Sequence, residues 1–262
     1  MAIPSRQIGW GTEENLLWEI SKQLEILTRV TYNIPNNTTT TSTSSTTTTT
    51  TTAVPVPGNV DIPASTQFDI TGDFTIEMFV NLSNFDGFPR PYSFGAYPAP
   101  NAISLEGGQL YFWANNAALC SCSFSPNVSQ WYHICVMGYG PNVYLFIDGV
   151  QISACSYGGS ISSQGLPLTI GYGNEPSSYF NGLMSNFRWS TIARYPTTGF
   201  SVPTAPLGTD AGTVLLIFQG NTLPLELTDN SGNGHDASNT GATYSAVNPF
   251  VGYNGSLQMG TV

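Results

Sequence analysis

The sequence predicts a mainly β protein, a two-sheet antiparallel sandwich preceded by one N-terminal amphipathic α-helix and a Thr-rich linker. Segments such as "FTIEMFVNL", which begins at Phe74, place apolar side chains at every second position, the period of a strand. Asp148 and Gly149 lie between "YLFI" and "VQIS" and indicate a two-residue hairpin, because a type I′ turn needs positive φ at both central positions. Only 8% of the residues are charged, whereas Gly (27) and Pro (18) are frequent, which is typical of sandwiches with many turns.

The first predicted element is a helix over residues 13–29, within an N-terminal segment 1–34. The stretch "TEENLLWEISKQLEILTRV" has an apolar helical stripe, and "AIPSRQIGWG" before it reads as an arm with apolar anchors. An isolated helix of this length is marginal in water, so the stripe needs a partner. We favour assembly with other copies over docking on a different protein or packing on the chain's own β domain. The expected assembly residues are Ile3, Ile8, Trp10, Leu16, Leu17, Ile20, Leu24 and Leu27.

Residues 35–57 form the linker. Positions 38–52 contain only Thr and Ser, which have no apolar face to bury, so this segment reads as a stalk between the helix and the β domain. Two interpretations stay open, an O-glycosylated stalk and an unmodified flexible linker. The glycosylation candidates in and beyond the stalk are Asn36, Asn37, Thr38, Thr39, Thr40, Thr46, Thr47, Thr48, Asn81, Asn127 and Asn254.

Residues 58–262 form the predicted β domain, and here the sequence resembles a known family. The blocks "GDFTIEMFV", "QWYHICVM", "VYLFIDGVQIS" and "YFNGLMSNFRWSTIARYPTTGFSVPTAPL" are similar to the laminin-G-like, concanavalin-A-like jelly roll, in the expected order. The resemblance implies a two-sheet antiparallel jelly roll. The family's first strand, of the type "GSLxFDG", is replaced here by the linker, and the C-terminal "YNGSLQMGTV" resembles it. We therefore expect residues 256–262 to complete a sheet, in their own domain or in a neighbouring copy.

The N-terminal arm and helix resemble the N-termini of uncharacterised fibre or virion-associated proteins of aquatic viruses and phages. That resemblance covers about 30 residues and implies a part in assembly.

Four cysteines, Cys120, Cys122, Cys135 and Cys155, lie close together in the sequence. They lie in strand-like segments and not in the C-x-x-C turns of zinc sites, so two disulfides are expected. Four reduced, buried thiols are the alternative, and the sequence leaves the pairing open.

Charge excludes some partners and the sequence offers little catalytic chemistry. The net charge of −10 disfavours binding to nucleic acid or to an anionic membrane, and no apolar run approaches the ~20 residues of a membrane span. His133 alternates within a strand pattern and is expected to be structural, and His235 with Asp236 has no nucleophile motif nearby. We expect no catalytic residues, no enzyme activity and no resident cofactor.

A sugar site is the binding function to test, because sites of this kind combine aromatic platforms with amide and carboxylate partners. Tyr172, Asn174, Glu175 and Tyr179 in "GYGNEPSSYF" are one candidate set, and Trp113 with its neighbouring asparagines is another. A calcium ion is an option at loop ends of this fold, although the scattered Asp residues indicate no oxygen cluster.

The sequence therefore favours an extracellular structural subunit of a fibre, filament or virion appendage, assembling as a homo-oligomer and displaying a jelly roll. The alternative is a carbohydrate-binding adhesion head that its helix oligomerises.

Overall fold

The computed structural model describes residues 58–253 and 255–260. The predicted arm, helix 13–29 and stalk, with all the assembly residues from Ile3 to Leu27 and the glycosylation candidates from Asn36 to Thr48, lie outside the described residues. Asn254 lies outside them as well.

The described chain is mainly β. The strands are β1 (Asn59–Ile62), β2 (Phe74–Leu82), β3 (Tyr92–Phe94), β4 (Asn101–Glu106), β5 (Gln109–Ala114), β6 (Ala117–Ser123), β7 (Trp131–Tyr139), β8 (Asn142–Ile147), β9 (Val150–Ser156), β10 (Leu168–Ile170), β11 (Gly182–Ser190), β12 (Thr213–Ile217), β13 (Ser238–Thr240), β14 (Thr243–Ser245) and β15 (Ser256–Met259). Within the described residues, helical structure is confined to a 3₁₀ turn at Thr66–Phe68 and a four-residue helix, α1 (Leu223–Glu226). No helix in this part of the chain is both long and apolar enough to cross a membrane.

The strands form two antiparallel sheets, which confirms the predicted sandwich. The seven-stranded sheet has the order β13-β1-β10-β3-β4-β5-β6, and the other has the order β14-β15-β11-β2-β7-β8-β9, with β12 also pairing with β11. On β5 the burial alternates strictly, so that Leu110 and Phe112 face the core while Tyr111 and Trp113 face outward. The core therefore lies between the sheets, and the outer face of the seven-stranded sheet carries polar and aromatic side chains.

The β8–β9 hairpin confirms the turn that the sequence predicts. Asp148 and Gly149 have φ values of 49° and 74°, as a type I′ turn requires. A Cβ on Gly149 would lie 2.0 Å from the carbonyl oxygen of Phe200, so this position accepts only glycine without a shift of the backbone.

The C-terminal segment pairs within its own chain. Strand β15 lies between β11 and β14, with Met184 opposite Leu257 and Tyr244 on its other side opposite the same residue. Gly58 and Gly260 exchange backbone hydrogen bonds of 3.1 and 2.9 Å, so the two ends of the described domain meet. The C-terminal residues thus occupy a sheet position next to β11, and the described part of this strand ends at Met259.

One disulfide forms, so the prediction of two disulfides is wrong. Cys120 on β6 and Cys155 on β9 are bonded, which joins edge strands of the two sheets. Cys122 and Cys135 are free and buried. Cys122, on β6, faces the core between the sheets. Cys135 lies beside Met137 on the outer face of the sheet that contains β7. The two thiols are therefore on opposite sides of the sheet that contains β7.

His133 has a structural setting. Its Nε2 lies 3.1 Å from Glu77 Oε2, and both side chains are fully buried. Arg188 donates to Glu77 Oε1 from Nε at 2.8 Å and from Nη2 at 2.5 Å, and the Tyr195 hydroxyl donates to Oε2 at 2.7 Å. Burial opposes ionisation, but the His133 hydrogen bond and the Arg188 charge outweigh it and hold the pKa of Glu77 below its usual value.

Glu226 is a buried acid without such partners. Its side chain at the end of α1 is fully buried, and neither carboxylate oxygen has a hydrogen-bond partner of ordinary geometry. Burial raises the pKa of Glu226 to about 8, with a partial opposing effect from the backbone of Gly220. Because the folded state holds the proton more tightly than the unfolded chain, protonation of Glu226 contributes to the stability of the fold. This contribution is complete below pH 4.5 and is lost as the pH rises through about 8.

We therefore predict that Glu226→Gln stabilises the fold at alkaline pH. As the pH rises from the unfolded to the folded pKa of Glu226, the fold loses ~1.4 kcal/mol of stability for each pH unit, a few kcal/mol at pH 8. Gln is an uncharged amide of the same shape, so it removes this cost. Urea unfolding at pH 4 and pH 8 measures the difference, and the pH 4 pair serves as the control because wild type is protonated there. Equal stabilisation at both pH values would contradict the titration of Glu226.

Candidate functional site

A pocket of about 300 Å³ opens on the outer face of the seven-stranded sheet. It is lined by one residue from β5, two from β4, and residues of the flanking loops. These residues are Phe88, Arg90, Tyr97, Ser104, Glu106, Trp113 and Glu175. Strand alternation explains the sheet contribution, since Ser104 and Glu106 on β4 and Trp113 on β5 all point away from the core.

The loop between β10 and β11 closes one side of this pocket. Phe180 N–H donates to Gly171 O at 2.9 Å, which joins the two ends of the loop. The loop is then fastened to the segment before β3, because Phe88 N–H donates to Ser177 O at 2.8 Å and Arg90 N–H donates to the next carbonyl along, at 3.2 Å. Two sequence segments that lie far apart therefore form one wall.

An ion pair joins the same two segments. Arg90 Nη2 lies 2.5 Å from Glu175 Oε1, with 4% and 25% of the two side chains exposed. Arg90 Nη1 also donates to Ser93 Oγ at 3.4 Å, whereas the buried Arg90 Nε has no partner. Burial lowers the pKa of Arg90, and the charges of Glu175 and Glu106 oppose that shift, so the guanidinium stays protonated. The pocket therefore holds one fixed cation between two carboxylates.

Aromatic rings form the open part of the pocket. Tyr97 stands edge-on to Trp113, with ring centroids 5.2 Å apart and planes at 79°. The Trp113 indole N–H donates to Ser104 Oγ at 2.9 Å, which fixes the ring on the sheet surface. Tyr97 is 59% exposed and Phe88 is 49% exposed. Exposed rings beside a few fixed polar groups are the usual composition of a small-ligand pocket.

The structure brings together two of the predicted sugar-site residues, Trp113 and Glu175, from different candidate sets. Tyr172 and Tyr179 stack on each other, with centroids 4.1 Å apart and planes at 13°, and do not line this pocket. Asn174 donates to Thr169 Oγ1 at 3.4 Å on the neighbouring strand β10.

Sequence reasoning missed Phe88, Arg90, Tyr97, Ser104 and Glu106. For Phe88, Arg90 and Tyr97 the available signal was the stretch "NFDGFPRPYSFGAYP", in which aromatic residues and an arginine occur among Gly and Pro, whereas Ser104 and Glu106 lie outside it. Loops lie on the surface and often carry binding residues, and Phe88 and Tyr97, which lie outside strand β3, are exposed.

Other sequence candidates lie elsewhere. Asn127 is exposed in the turn after β6, whereas Asn81 is only 9% exposed within β2, so a glycan on Asn81 is incompatible with its place in the sheet. His235 Nε2 contacts Gln67 Oε1 at 2.5 Å, while Asp236 accepts from the backbone of Asp229, so these neighbours have separate partners.

The calcium hypothesis gains no cluster from the structure. Among the described residues, no three His, Cys, Asp or Glu side chains converge on one point. The expectation of no resident cofactor, with calcium as an option at the loop ends, stays a prediction.

Comparison with known proteins identifies the family to which the fold belongs. A family model described as the concanavalin A-like lectin/glucanases superfamily matches residues 55–198. No curated protein matches the chain.

Among solved structures, a candidate carbohydrate-binding protein of Bacteroides ovatus superposes with a TM-score of 0.53 at 13% identity, over 71% of this chain and 59% of that one. This chain thus spans less than two thirds of that protein's length, and the likeness shows the fold alone. Weaker similarities are to a SAP-like pentraxin of Limulus polyphemus (TM-score 0.39, 14% identity, 55% of this chain and 80% of that one) and to domains LG4-5 of the mouse laminin alpha1 chain (0.38, 16%, 57% and 48%).

Proposed function

Because this chain belongs to the concanavalin A-like lectin/glucanases superfamily, we propose that its β domain is a lectin-like module that binds carbohydrate in the pocket between Phe88, Trp113 and Glu175. The observation that carries the proposal is the juxtaposition of exposed aromatic rings with the Arg90–Glu175 ion pair. A sugar ring has an apolar face and a rim of hydroxyls. The rings of Tyr97 and Trp113 offer surface to the first, and the charged groups offer hydrogen bonds to the second.

The pocket is arranged for binding without a large change of shape. Arg90 is held by both Glu175 and Ser93, and Trp113 is held by Ser104, so the ligand finds its partners already oriented. Pre-organised partners lose little side-chain entropy on binding, which favours affinity.

We propose binding without catalysis. Glu175 is held in an ion pair with Arg90 through Oε1. A glycosidase needs a protonated acid and a free carboxylate flanking the scissile bond. We also propose an extracellular location, because a disulfide persists in oxidising compartments.

We predict that Trp113→Ala lowers the affinity for carbohydrate at least tenfold, about 1.4 kcal/mol, because it removes the aromatic surface at the base of the pocket. A glycan array with the full chain selects the ligand, and calorimetric titration measures the affinity.

The control for Trp113→Ala is Tyr139→Ala, which removes an exposed aromatic ring from the other sheet at the end of β7. Tyr139→Ala should bind as wild type does. Silence of the wild-type chain on the array, or equal binding by Trp113→Ala, would contradict the proposed site.

A second role, as the subunit of an extracellular fibre, filament or virion appendage, is favoured by the sequence of the N-terminal segment. The apolar stripe from Leu16 to Leu27 needs a partner, and the Thr-rich stalk separates it from the β domain along the chain. We propose that this segment joins copies into a homo-oligomer. The lectin-like domain would then be presented in several copies, which raises avidity for a multivalent glycan surface.

We predict that Ile20→Asp abolishes assembly while the β domain stays folded, because the change buries a charge in the apolar seam. Light scattering and electron microscopy measure assembly, and circular dichroism measures folding.

Asn15→Asp is the matched control for Ile20→Asp, since on a helical wheel it adds the same charge opposite the stripe. A monomeric wild-type chain, or an Ile20→Asp variant that still assembles, would refute this role for the helix.

A further inference from the structure

A second cavity, of about 350 Å³, adjoins the proposed sugar pocket. Glu106, at the end of β4, lines both cavities, so the two cavities lie side by side at this residue, and we refer to the pair as the depression. Phe85, 39% exposed, and Phe124 supply aromatic surface to the second cavity, and the backbone of Gly107 and Gly108 passes along it. The depression therefore offers aromatic surface on both sides of Glu106.

Charge around the depression is negative. Arg90 is the cation of the first pocket and is paired with Glu175, which leaves Glu106 in excess. Glu106 is also the one charged residue among the described residues that line the second cavity.

The positively charged side chains elsewhere on the described domain already form ion pairs. The described part of the chain contains no Lys, and each of its three arginines pairs with a carboxylate. Arg188 pairs with Glu77 at 2.5 Å, and Arg194 pairs with Asp210 at 2.8 Å. An acidic ligand at the depression would face the carboxylate of Glu106, and the guanidinium of Arg90, which lines the first pocket, is already paired with Glu175.

We propose that the ligand of this site is an oligosaccharide of at least two sugar rings that carries no acid group, and that Glu106 excludes acidic sugars. This inference rests on the proposed carbohydrate-binding function and deepens it. One ring occupies the pocket at Trp113, and the next passes Glu106 toward Phe85. Glu106 accepts hydrogen bonds from the hydroxyls of an uncharged ring, whereas a carboxylate on the ligand offers no proton and is repelled.

Two measurements on the full chain test the two parts of the inference. The probes are the uncharged oligosaccharide that binds best on the array, its shorter forms down to one ring, and the same oligosaccharide with one C6 hydroxymethyl group oxidised to a carboxylate. The affinity should rise at least tenfold from one ring to two. The oxidised form should bind at least tenfold more weakly than the uncharged form. Added salt should reduce this ratio of affinities, because it screens the repulsion.

Glu106→Gln keeps the shape of the side chain and removes its charge. The ratio of uncharged to oxidised affinities should fall at least threefold in Glu106→Gln. Asp86→Asn is the matched control, because it removes an exposed carboxylate from the neighbouring loop that lines neither cavity, and its ratio should stay that of wild type. Thermal unfolding shows whether each variant is folded.

The outcomes separate this inference from the proposed function. If no glycan binds wild type, the proposed function itself fails, and the inference falls with it. If glycans bind but the oxidised form binds as tightly as the uncharged one, or a single sugar binds as tightly as two, this inference is overturned and carbohydrate binding stands. An unchanged ratio in Glu106→Gln would overturn the role of Glu106.

Discussion

Trp189 packs in the space between the two sheets, with Phe68, Tyr92 and Phe94 around it at centroid distances of 5.6 to 5.9 Å. Burial of these rings fixes which face of each strand turns inward. Because successive side chains of a strand point to opposite faces, the next residue after Tyr92, Ser93, must lie on the outer face of the seven-stranded sheet. The core thus determines which side chains the outer surface receives.

The candidate site follows from that constraint together with one ion pair. The sheet supplies Trp113 and Glu106 on its outer face, but a sheet surface alone is open. The loop between β10 and β11 makes it concave, and Arg90 with Glu175 holds the loop against the segment before β3. A buried pair of this kind costs desolvation, which its close geometry offsets, and it fixes the positions of both polar groups for a ligand.

The sequence predicts the local features of this fold better than the site. Period-two alternation in "FTIEMFVNL" identified β2, and Asp148-Gly149 identified the β8–β9 turn, because both signals lie within a few residues. The pocket joins Arg90, Trp113 and Glu175, which the register of β3, β4 and β5 and one loop bring together, and no short pattern encodes that register. The prediction of a second disulfide is wrong because Cys135 lies on the face of β7 that points away from the core, whereas Cys122 faces the core.

Chemical-shift mapping shows whether carbohydrate binds at the outer face of the seven-stranded sheet. Nitrogen-15-labelled protein would be titrated with the uncharged oligosaccharide selected on the array. We predict that the largest shifts include the Trp113 indole N–H and the backbone amides of Phe88 and Glu175. Shifts centred instead on the other sheet, around His133 and Trp131, with the Trp113 indole unchanged, would contradict it.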